Sequence, residues 1–454
     1  MVRALVLTLV SVLSFNTYSS EKFPAGAGTT LDFSVNAFSH PMSGTRGMLR
    51  RQFQVGNSFF KGAWVTSPSS TPLRDGLGPI FNATSCTACH LLDGRGRGLP
   101  EDDGKTDISL LFRLKTIGED GKLQAHPAYG DQFQPHSIEG VQGEGEVFVK
   151  FETIIGSFAD GETYELKKPN YIFRKLTHGS LGDNTIVSPR VGPQMIGLGL
   201  LENINKEEIL AGEDPEDLNN DGISGRANYV YSVIEQRKAL GRFGWKASRP
   251  NLLEQNAAAF NGDLGITSPL FPTEECSLLQ IDCLEKKTQK DISKELLDKV
   301  TLYTQLIAVP ARRIFNDTSI KNGQKIFHQI NCQACHRPEF TTGSNSKYHV
   351  LNNQKIYPYT DMLLHDMGDA LADDTRSYEF EGNATTREWR TPPLWGLGLV
   401  KTVNGHTRLL HDGRARNLQE AILWHGGEAQ KSKDKFIKLT KKDRQDLIKF
   451  LRSL

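Results

Sequence analysis

The chain repeats one short pattern, "SCTACH" at residues 85–90 and "NCQACH" at residues 331–336. In each copy two cysteines and a histidine stand at positions i, i+3 and i+4, which share one face of a helix. Thiols at this spacing can bond to the two vinyl groups of a haem, and the histidine can then ligate the iron. A thioredoxin-like redox pair and half of a zinc site are the alternatives, but neither requires a histidine directly after the second cysteine. The motifs predict two covalently bound haems c, held by Cys86, Cys89, His90, Cys332, Cys335 and His336.

Composition and the N-terminal residues predict an exported protein. The 454 residues are enough for two or more cores, and the net charge of +1 does not favour nucleic acid as a partner. Arg3, the apolar residues 4–15 and the small residues up to Ser19 form a secretory signal pattern, with residues 1–19 as the signal peptide. No later segment is apolar enough to span a membrane. We therefore expect a soluble periplasmic protein.

Two cysteines remain outside the haem motifs. Cys276 and Cys283 lie close together in the sequence, and an exported protein meets an oxidising compartment. This favours a disulfide that closes a small loop, whereas two free buried thiols are the alternative.

Hydrophobic periodicity predicts a mainly α fold, with two cytochrome c-like haem domains and a β-containing insertion in the N-terminal half. Helical spacing runs through residues 291–313 until Pro310, and Thr440 begins a capping-box pattern. Residues 129–173 alternate apolar and polar residues, which predicts a hairpin. The predicted boundaries are a signal peptide at 1–19, an N-terminal haem domain at 20–265, a connecting segment at 266–310 and a C-terminal haem domain at 311–454.

A second repeat supports a duplication. Residues 190–200 read "RVGPQMIGLGL" and residues 390–399 read "RTPPLWGLGL". Each follows its own haem motif, as a repeated haem unit would require. Similarity that arises from loop chemistry alone is the alternative.

One loop resembles a calcium site. Asp217, Asn219 and Asp221 stand at positions 1, 3 and 5, and Gly222 follows, as in the first half of an EF-hand loop. Asn228 occupies the place where the loop would carry a glutamate. Ca²⁺ is therefore a candidate ligand, and a plain Asn/Asp turn is the alternative.

The sixth ligand decides whether a haem carries electrons or binds a small molecule. His425 ends a helical stretch whose period places it on one side with Leu418, Ala421 and Ile422. This makes His425 a candidate distal ligand for the second haem. A histidine that caps the helix C-terminus is the alternative.

Longer stretches resemble a known family. "FNGDLGITSPLFP", "PYTDMLLHDMGDALAD" and "LHDGRARNLQEAILWHGGEA", together with the two haem motifs, resemble the di-haem oxidoreductase family sometimes labelled thiol oxidoreductase. That family is similar to the bacterial di-haem cytochrome c peroxidases and to the enzyme that matures a tryptophan-derived cofactor. In those relatives the residue seven after the leucine of the last stretch ligates the C-terminal haem. Counting from Leu418, this resemblance implies His425.

The resemblance also implies that the N-terminal haem is the reactive one. The peroxidases carry a displaceable histidine soon after that motif, which this chain lacks, and an acid and an amide above the iron. Gln194 and Glu202 are the candidates for that catalytic pair. His365, His411 and the arginines Arg190, Arg390, Arg414 and Arg416 are candidate partners of the haems, and Trp245 or Trp395 a candidate electron relay.

The implied function is that of an exported di-haem oxidoreductase of peroxidase type. The C-terminal haem would pass electrons from a small exported cytochrome or copper protein to the N-terminal haem, which would reduce peroxide or act on another small molecule. A pure electron-transfer cytochrome and a protein-modifying oxidase are the alternatives.

Overall fold

The protein is described here by a computed structural model of residues 21–286 and 292–454. The predicted signal peptide, residues 1–19, lies outside the described residues. The structure is 29% helical and 21% strand, so the prediction of a mainly α fold was wrong. The helices are short, and the long Gly- and Pro-containing connections between them pair into many small sheets in both halves.

The described residues form twelve α-helices. They are α1 (Gly47–Lys61), α2 (Cys86–Cys89), α3 (Leu198–Glu202), α4 (Lys206–Leu210), α5 (Leu252–Leu264), α6 (Ile281–Glu285), α7 (Lys294–Gln305), α8 (Thr318–Gln329), α9 (Val400–Asn404), α10 (Leu418–Trp424), α11 (Gln430–Lys438) and α12 (Lys441–Ser453). The helix predicted to run until Pro310 ends at Gln305. Thr440 caps α12 as predicted, because its side chain accepts a hydrogen bond from the Asp443 N–H.

The strands of the first half are β1 (Thr29–Thr30), β2 (Ile80–Phe81), β3 (Gly104–Lys105), β4 (Leu110–Ile117), β5 (Leu123–Gln124), β6 (His136–Ser137), β7 (Glu146–Ser157), β8 (Thr163–Arg174), β9 (Thr185–Val191), β10 (Tyr229–Ser232) and β11 (Arg237–Leu240). Those after α7 are β12 (Val309–Pro310), β13 (Phe340–Thr341), β14 (Lys355–Ile356), β15 (Leu364–Asp366), β16 (Glu379–Glu381), β17 (Ala384–Thr385) and β18 (Glu388–Arg390). The sheets have two or three strands, and the orders of the three-stranded ones are β3-β7-β8 and β5-β4-β9.

Each half contains one close crossing of two helices. In the first half Gly56 of α1 lies against α7, where an added Cβ would be 2.1 Å from the Lys299 carbonyl oxygen. In the second half Gly323 of α8 lies against α12, where an added Cβ would be 2.0 Å from the Asp446 carbonyl oxygen. Only glycine permits such an approach of two backbones. The equivalent crossings indicate that the chain contains the same helix pair twice.

The glycine-rich repeats have the same structure in both halves. Gly197 and Gly396 have φ angles of 70° and 73° and each precedes a short helix. Two residues later, Gly199 approaches the carbonyl oxygen of Gln305 at the end of α7, and Gly398 approaches that of Arg452 near the end of α12. Each repeat therefore packs against the last helix of its own unit.

The predicted hairpin is confirmed by the antiparallel pairing of β7 and β8. Its tip reaches the C-terminal helices of the other half. Phe158 belongs to the same buried cluster as Phe436, the Ala159 N–H donates to the Ile437 carbonyl oxygen at 3.1 Å, and Arg444 pairs with Glu162. Contacts therefore cross the predicted domain boundaries, which themselves stay a prediction.

The disulfide predicted between Cys276 and Cys283 is present, with an S–S distance of 2.01 Å. It lies in a segment that packs on Glu144, since Gln280 Nε2 donates to the Glu144 carboxylate. Glu144 is fully buried.

Stability should depend on the protonation of Glu144. Burial raises its pKa to about 8, although bonds from the Gln134 N–H and from Gln280 lower it. A carboxyl whose pKa is higher in the folded state than in the unfolded state stabilises the fold while it is protonated. This stabilisation is fully present below the unfolded-state pKa and is lost as the pH rises through the folded-state pKa. Glu144→Gln should therefore flatten the fall in unfolding free energy between about pH 4.5 and 8, by about 1.4 kcal/mol per unit of pKa difference. Urea denaturation at several pH values measures this; exposed Glu152→Gln is the matched control, and an unchanged slope in Glu144→Gln contradicts the prediction.

Candidate haem sites

One continuous cavity contains both cysteine motifs. It is lined at one end by Cys86, Cys89 and His90, and at the other by Cys332, Cys335, His336 and His425. We call these ends the first and the second haem site. The side chains between them are mostly apolar, as the body of a porphyrin requires.

The first haem site positions its histidine through the backbone. Cys86 and Cys89 lie in α2, and the imidazole of His90 donates from Nδ1 to the Pro193 carbonyl oxygen at 2.7 Å. This bond fixes the tautomer and leaves Nε2 as the free ligand atom. Burial lowers the pKa of His90, which favours the neutral imidazole that binds iron. Phe60, four residues after Gly56, packs beside the ring.

The second haem site repeats this arrangement with a different backbone. Cys332 begins a 3₁₀ turn (Cys332–Ala334) rather than the α-helix that the spacing predicted. His336 donates from Nδ1 to the Tyr359 carbonyl oxygen at 3.0 Å. Burial lowers the pKa of His336 to about 4. The bond to the Tyr359 carbonyl raises this pKa, whereas the charge of His425 lowers it further. Phe327, four residues after Gly323, packs beside this ring as Phe60 does beside His90.

The four motif thiols are free of disulfides. Burial raises the pKa of Cys86 and of Cys332 to about 12, so both thiols are protonated at neutral pH. Their spacing is the one at which two cysteines can form thioether bonds to a haem.

His425 lies in the cavity near the second haem site. It follows α10 directly, and its Nδ1 donates to the Ala421 carbonyl oxygen at 2.6 Å, which leaves Nε2 free. His336 and His425 both line the cavity, and the charge of His425 lowers the pKa of His336. His425 thus has the environment of a ligand, although its role stays a prediction.

His365 lines the cavity at the second haem site, where it is buried and its ring lies 3.5 Å from the Cys335 sulfur. Its ring nitrogens contact Glu428 at 2.6 Å and Asp361 at 2.8 Å. Burial lowers the pKa of His365, but Cys335 and Asp361 raise it more, so that the net shift is upward. His365 thus connects Cys335 to the carboxylates of Asp361 and Glu428 in the wall of this site.

The structure does not bring Gln194 and Glu202 together above the first haem site. Gln194 lines the cavity beside Pro193, whose carbonyl accepts from the Nδ1 edge of His90, opposite to the ligand atom. The Glu202 carboxylate accepts from the Leu252 N–H at 2.7 Å and from Gln305 Nε2 at 2.6 Å. Burial raises the pKa of Glu202. Their catalytic role stays a prediction.

The arginines of the cavity fit the propionates of a haem. Arg190 pairs with Glu381, yet its Nη2 is buried without a hydrogen bond, as is Nε of Arg249. Arg390 also lines the cavity, and burial lowers its pKa to about 10. Guanidinium groups without enough acceptors in a protein-lined cavity would bind carboxylates. Arg414 and Arg416 instead pair with acidic neighbours.

The cavity wall contains an aromatic pair that was not predicted from the sequence. The rings of Trp389 and His411 are stacked, with centroids 3.7 Å apart and planes 9° apart, and Lys246 lies 3.8 Å from the Trp389 centroid. Of the predicted relays, Trp245 lines the cavity and donates to the Val191 carbonyl oxygen. Trp395 is a buried core residue.

The candidate calcium loop is exposed. Asp217 accepts the Gly222 N–H with both carboxylate oxygens, Asn219 accepts the Asp221 N–H, and Asp221 accepts the Ile223 N–H. The bonds of Asn219 and Asp221 are those of two successive Asx turns, whereas Asp217 closes the loop across five residues. Calcium at this loop stays a prediction.

In the parts of the chain that the structure describes, we find no helix that is long and apolar enough to cross a membrane.

Comparison with known families gives a match over nearly the whole chain. A sequence profile of the family described as "Di-haem oxidoreductase, putative peroxidase" matches residues 18–111 and 128–454. No curated protein matches the chain. The matched residues include both cysteine motifs, His425 and nearly all of the cavity wall.

Proposed function

The chain belongs to the di-haem oxidoreductase family, and from this premise we propose that it is an exported c-type peroxidase whose two haems have different tasks. Each haem is bound by thioethers to one cysteine pair, and His90 and His336 are the proximal ligands. The observation that carries the proposal is the inequality of the two sites. Among the described residues that line the cavity, His425 is anchored through Nδ1 to a backbone carbonyl as the two proximal histidines are, and its charge lowers the pKa of His336. His90 has no such counterpart among them, since His365 bonds to carboxylates and His411 is stacked on Trp389.

The two irons would supply different chemistry when the haems are bound. An iron with two protein ligands transfers electrons, and an iron with a free position binds peroxide. One peroxide would take up two electrons and two protons and yield two waters. The electrons would come one at a time from a small exported cytochrome or copper protein, through the second haem site. The thioether bonds suit a periplasmic enzyme, because they prevent loss of the cofactor after export.

The number of covalent haems tests the cofactor assignment. The intact, denatured protein should carry the added mass of two haems, and Cys86→Ala with Cys89→Ala should remove the mass of one. Cys276→Ala with Cys283→Ala is the matched control, because it removes two cysteines without removing a haem. A wild-type protein that has lost both haems on denaturation would contradict covalent attachment.

Spectra test the division of tasks. We expect the oxidised protein to contain one low-spin and one high-spin haem, and cyanide or peroxide to shift only the high-spin signal in EPR and optical spectra. If neither ligand shifts a signal in the oxidised, half-reduced or reduced protein, both irons are closed and the protein is an electron-transfer cytochrome.

A further inference from the structure

Helices α5 and α10 are equivalent parts of the internal repeat. Asn251 caps α5 by accepting the Glu254 N–H, and Asn417 caps α10 by accepting the Glu420 N–H. Before each cap lies a tight loop closed by a single β-bridge, Phe243–Arg249 in one case and Leu409–Ala415 in the other. The bridges stand at the same spacing from the cap, so the two loop–helix units can be aligned residue by residue without a gap.

This alignment compares the walls of the two haem sites. The first, fourth, fifth and eighth residues after each cap all line the cavity. They are Leu418, Ala421, Ile422 and His425 in the second site, and Leu252, Gln255, Asn256 and Ala259 in the first. The helix of the second site thus offers apolar side chains and one imidazole, whereas the helix of the first offers two amides and, in place of the imidazole, a methyl group.

We propose that α5 forms the ligand-binding face of the first haem site, with Ala259 leaving the iron position open and the Gln255 amide hydrogen-bonding the bound peroxide. This inference rests on the proposed function, since it assigns the residues that contact the small-molecule substrate. The substrate class is a small oxygen-containing ligand, because a neutral amide can donate to one oxygen and accept from the other.

The two amides are not equivalent. Asn256 Nδ2 donates to Thr301 Oγ1 at 3.2 Å and to Thr304 Oγ1 at 3.0 Å, so its side chain is held against α7. The half-buried Gln255 amide has no hydrogen bond to any described residue. Gln255 is therefore the amide that is available to a ligand. Gln255 is thus a second candidate beside Gln194, which follows the Pro193 carbonyl bonded by His90 Nδ1.

The test of the open position uses the full-length protein with both haems. Ala259→His introduces at the first site the residue that the second site carries at the aligned position. It should make the first haem low-spin and reduce its cyanide affinity at least about 100-fold. Ala259→Leu supplies bulk without a ligand nitrogen and should keep the high-spin signal while slowing cyanide binding. Haem content and melting temperature establish that each variant is folded. If both variants keep the wild-type spin state and the wild-type cyanide binding, α5 does not face the iron and the proposal is overturned.

The test of the amide compares two glutamines. Gln255→Leu should keep the spin state and lower the bimolecular rate constant for peroxide about 100-fold, as expected for the loss of one positioned hydrogen-bonding group. Exposed Gln329→Leu makes the same substitution on α8 as a control. A loss of rate in Gln194→Leu but not in Gln255→Leu would overturn the assignment. These results differ from failure of the proposed function, in which the wild-type protein itself binds neither cyanide nor peroxide.

Discussion

Replacement of His425 by alanine is expected to give the protein a second high-spin haem. Among the described cavity residues, His425 is the third imidazole, after His90 and His336, that is anchored through Nδ1 to a backbone carbonyl, and its removal takes away the candidate second ligand of this haem. Axial ligands set haem potentials over about 0.8 V, so we expect the potential of this haem to shift by on the order of 100 mV. Peroxide turnover with a protein electron donor should fall, whereas direct binding of cyanide to the first haem should remain. EPR and a spectroelectrochemical titration measure these effects.

Two further variants sharpen this experiment. His425→Met keeps a ligand and should keep the low-spin signal while raising the potential, because methionine stabilises the reduced iron relative to imidazole. His328→Ala removes an exposed histidine of α8 and should leave every spectrum unchanged. A low-spin second haem in His425→Ala at an unchanged potential would show that another side chain ligates this iron.

Gly323→Ala should cause a large loss in the free energy of unfolding. The added Cβ would be 2.0 Å from the Asp446 carbonyl oxygen and 2.8 Å from the Phe450 Cβ, so α8 and α12 would have to separate. Overpacking of a core usually costs about 1–3 kcal/mol, and here the obstacle is backbone, which cannot change rotamer. We expect a loss of about 3 kcal/mol in the free energy of unfolding, measured by urea denaturation.

Other glycines provide the comparison for Gly323. Gly56→Ala should have a similar effect, because its Cβ would meet the Lys299 carbonyl oxygen at 2.1 Å. Gly262→Ala is the matched control in α5, where the nearest atom would be 3.7 Å away. Inside a helix this change should stabilise by roughly 0.5–1 kcal/mol. Equal effects of Gly323→Ala and Gly262→Ala would contradict the tight crossing.

The local patterns of the sequence predicted local structure well. The disulfide between Cys276 and Cys283, the hairpin and the Thr440 cap are confirmed, and all three depend on residues close together in the chain. The fold class was wrong because helical periodicity is easily recognised, whereas the many two- and three-residue strands carry too little pattern to be detected.

Residues of the candidate site were predicted only where they belong to a recognisable sequence motif. The anchoring of His336 by the Tyr359 carbonyl and the stacking of Trp389 on His411 depend on backbone paths that no spacing reveals. The equivalence of α5 and α10 did leave a signal, because "NLLE" at 251–254 matches "NLQE" at 417–420. That signal is short, and only the matching bridges before each helix give it weight.

The hairpin has a consequence for the evolution of this chain. Its tip places Phe158 from the first unit beneath Phe436 and Arg444 of the second. An ancestral single-haem cytochrome that was copied in tandem would have had two interchangeable modules. With an aromatic side chain of one copy built into the interior of the other, a deletion that removed one copy would open the core of the one that remained.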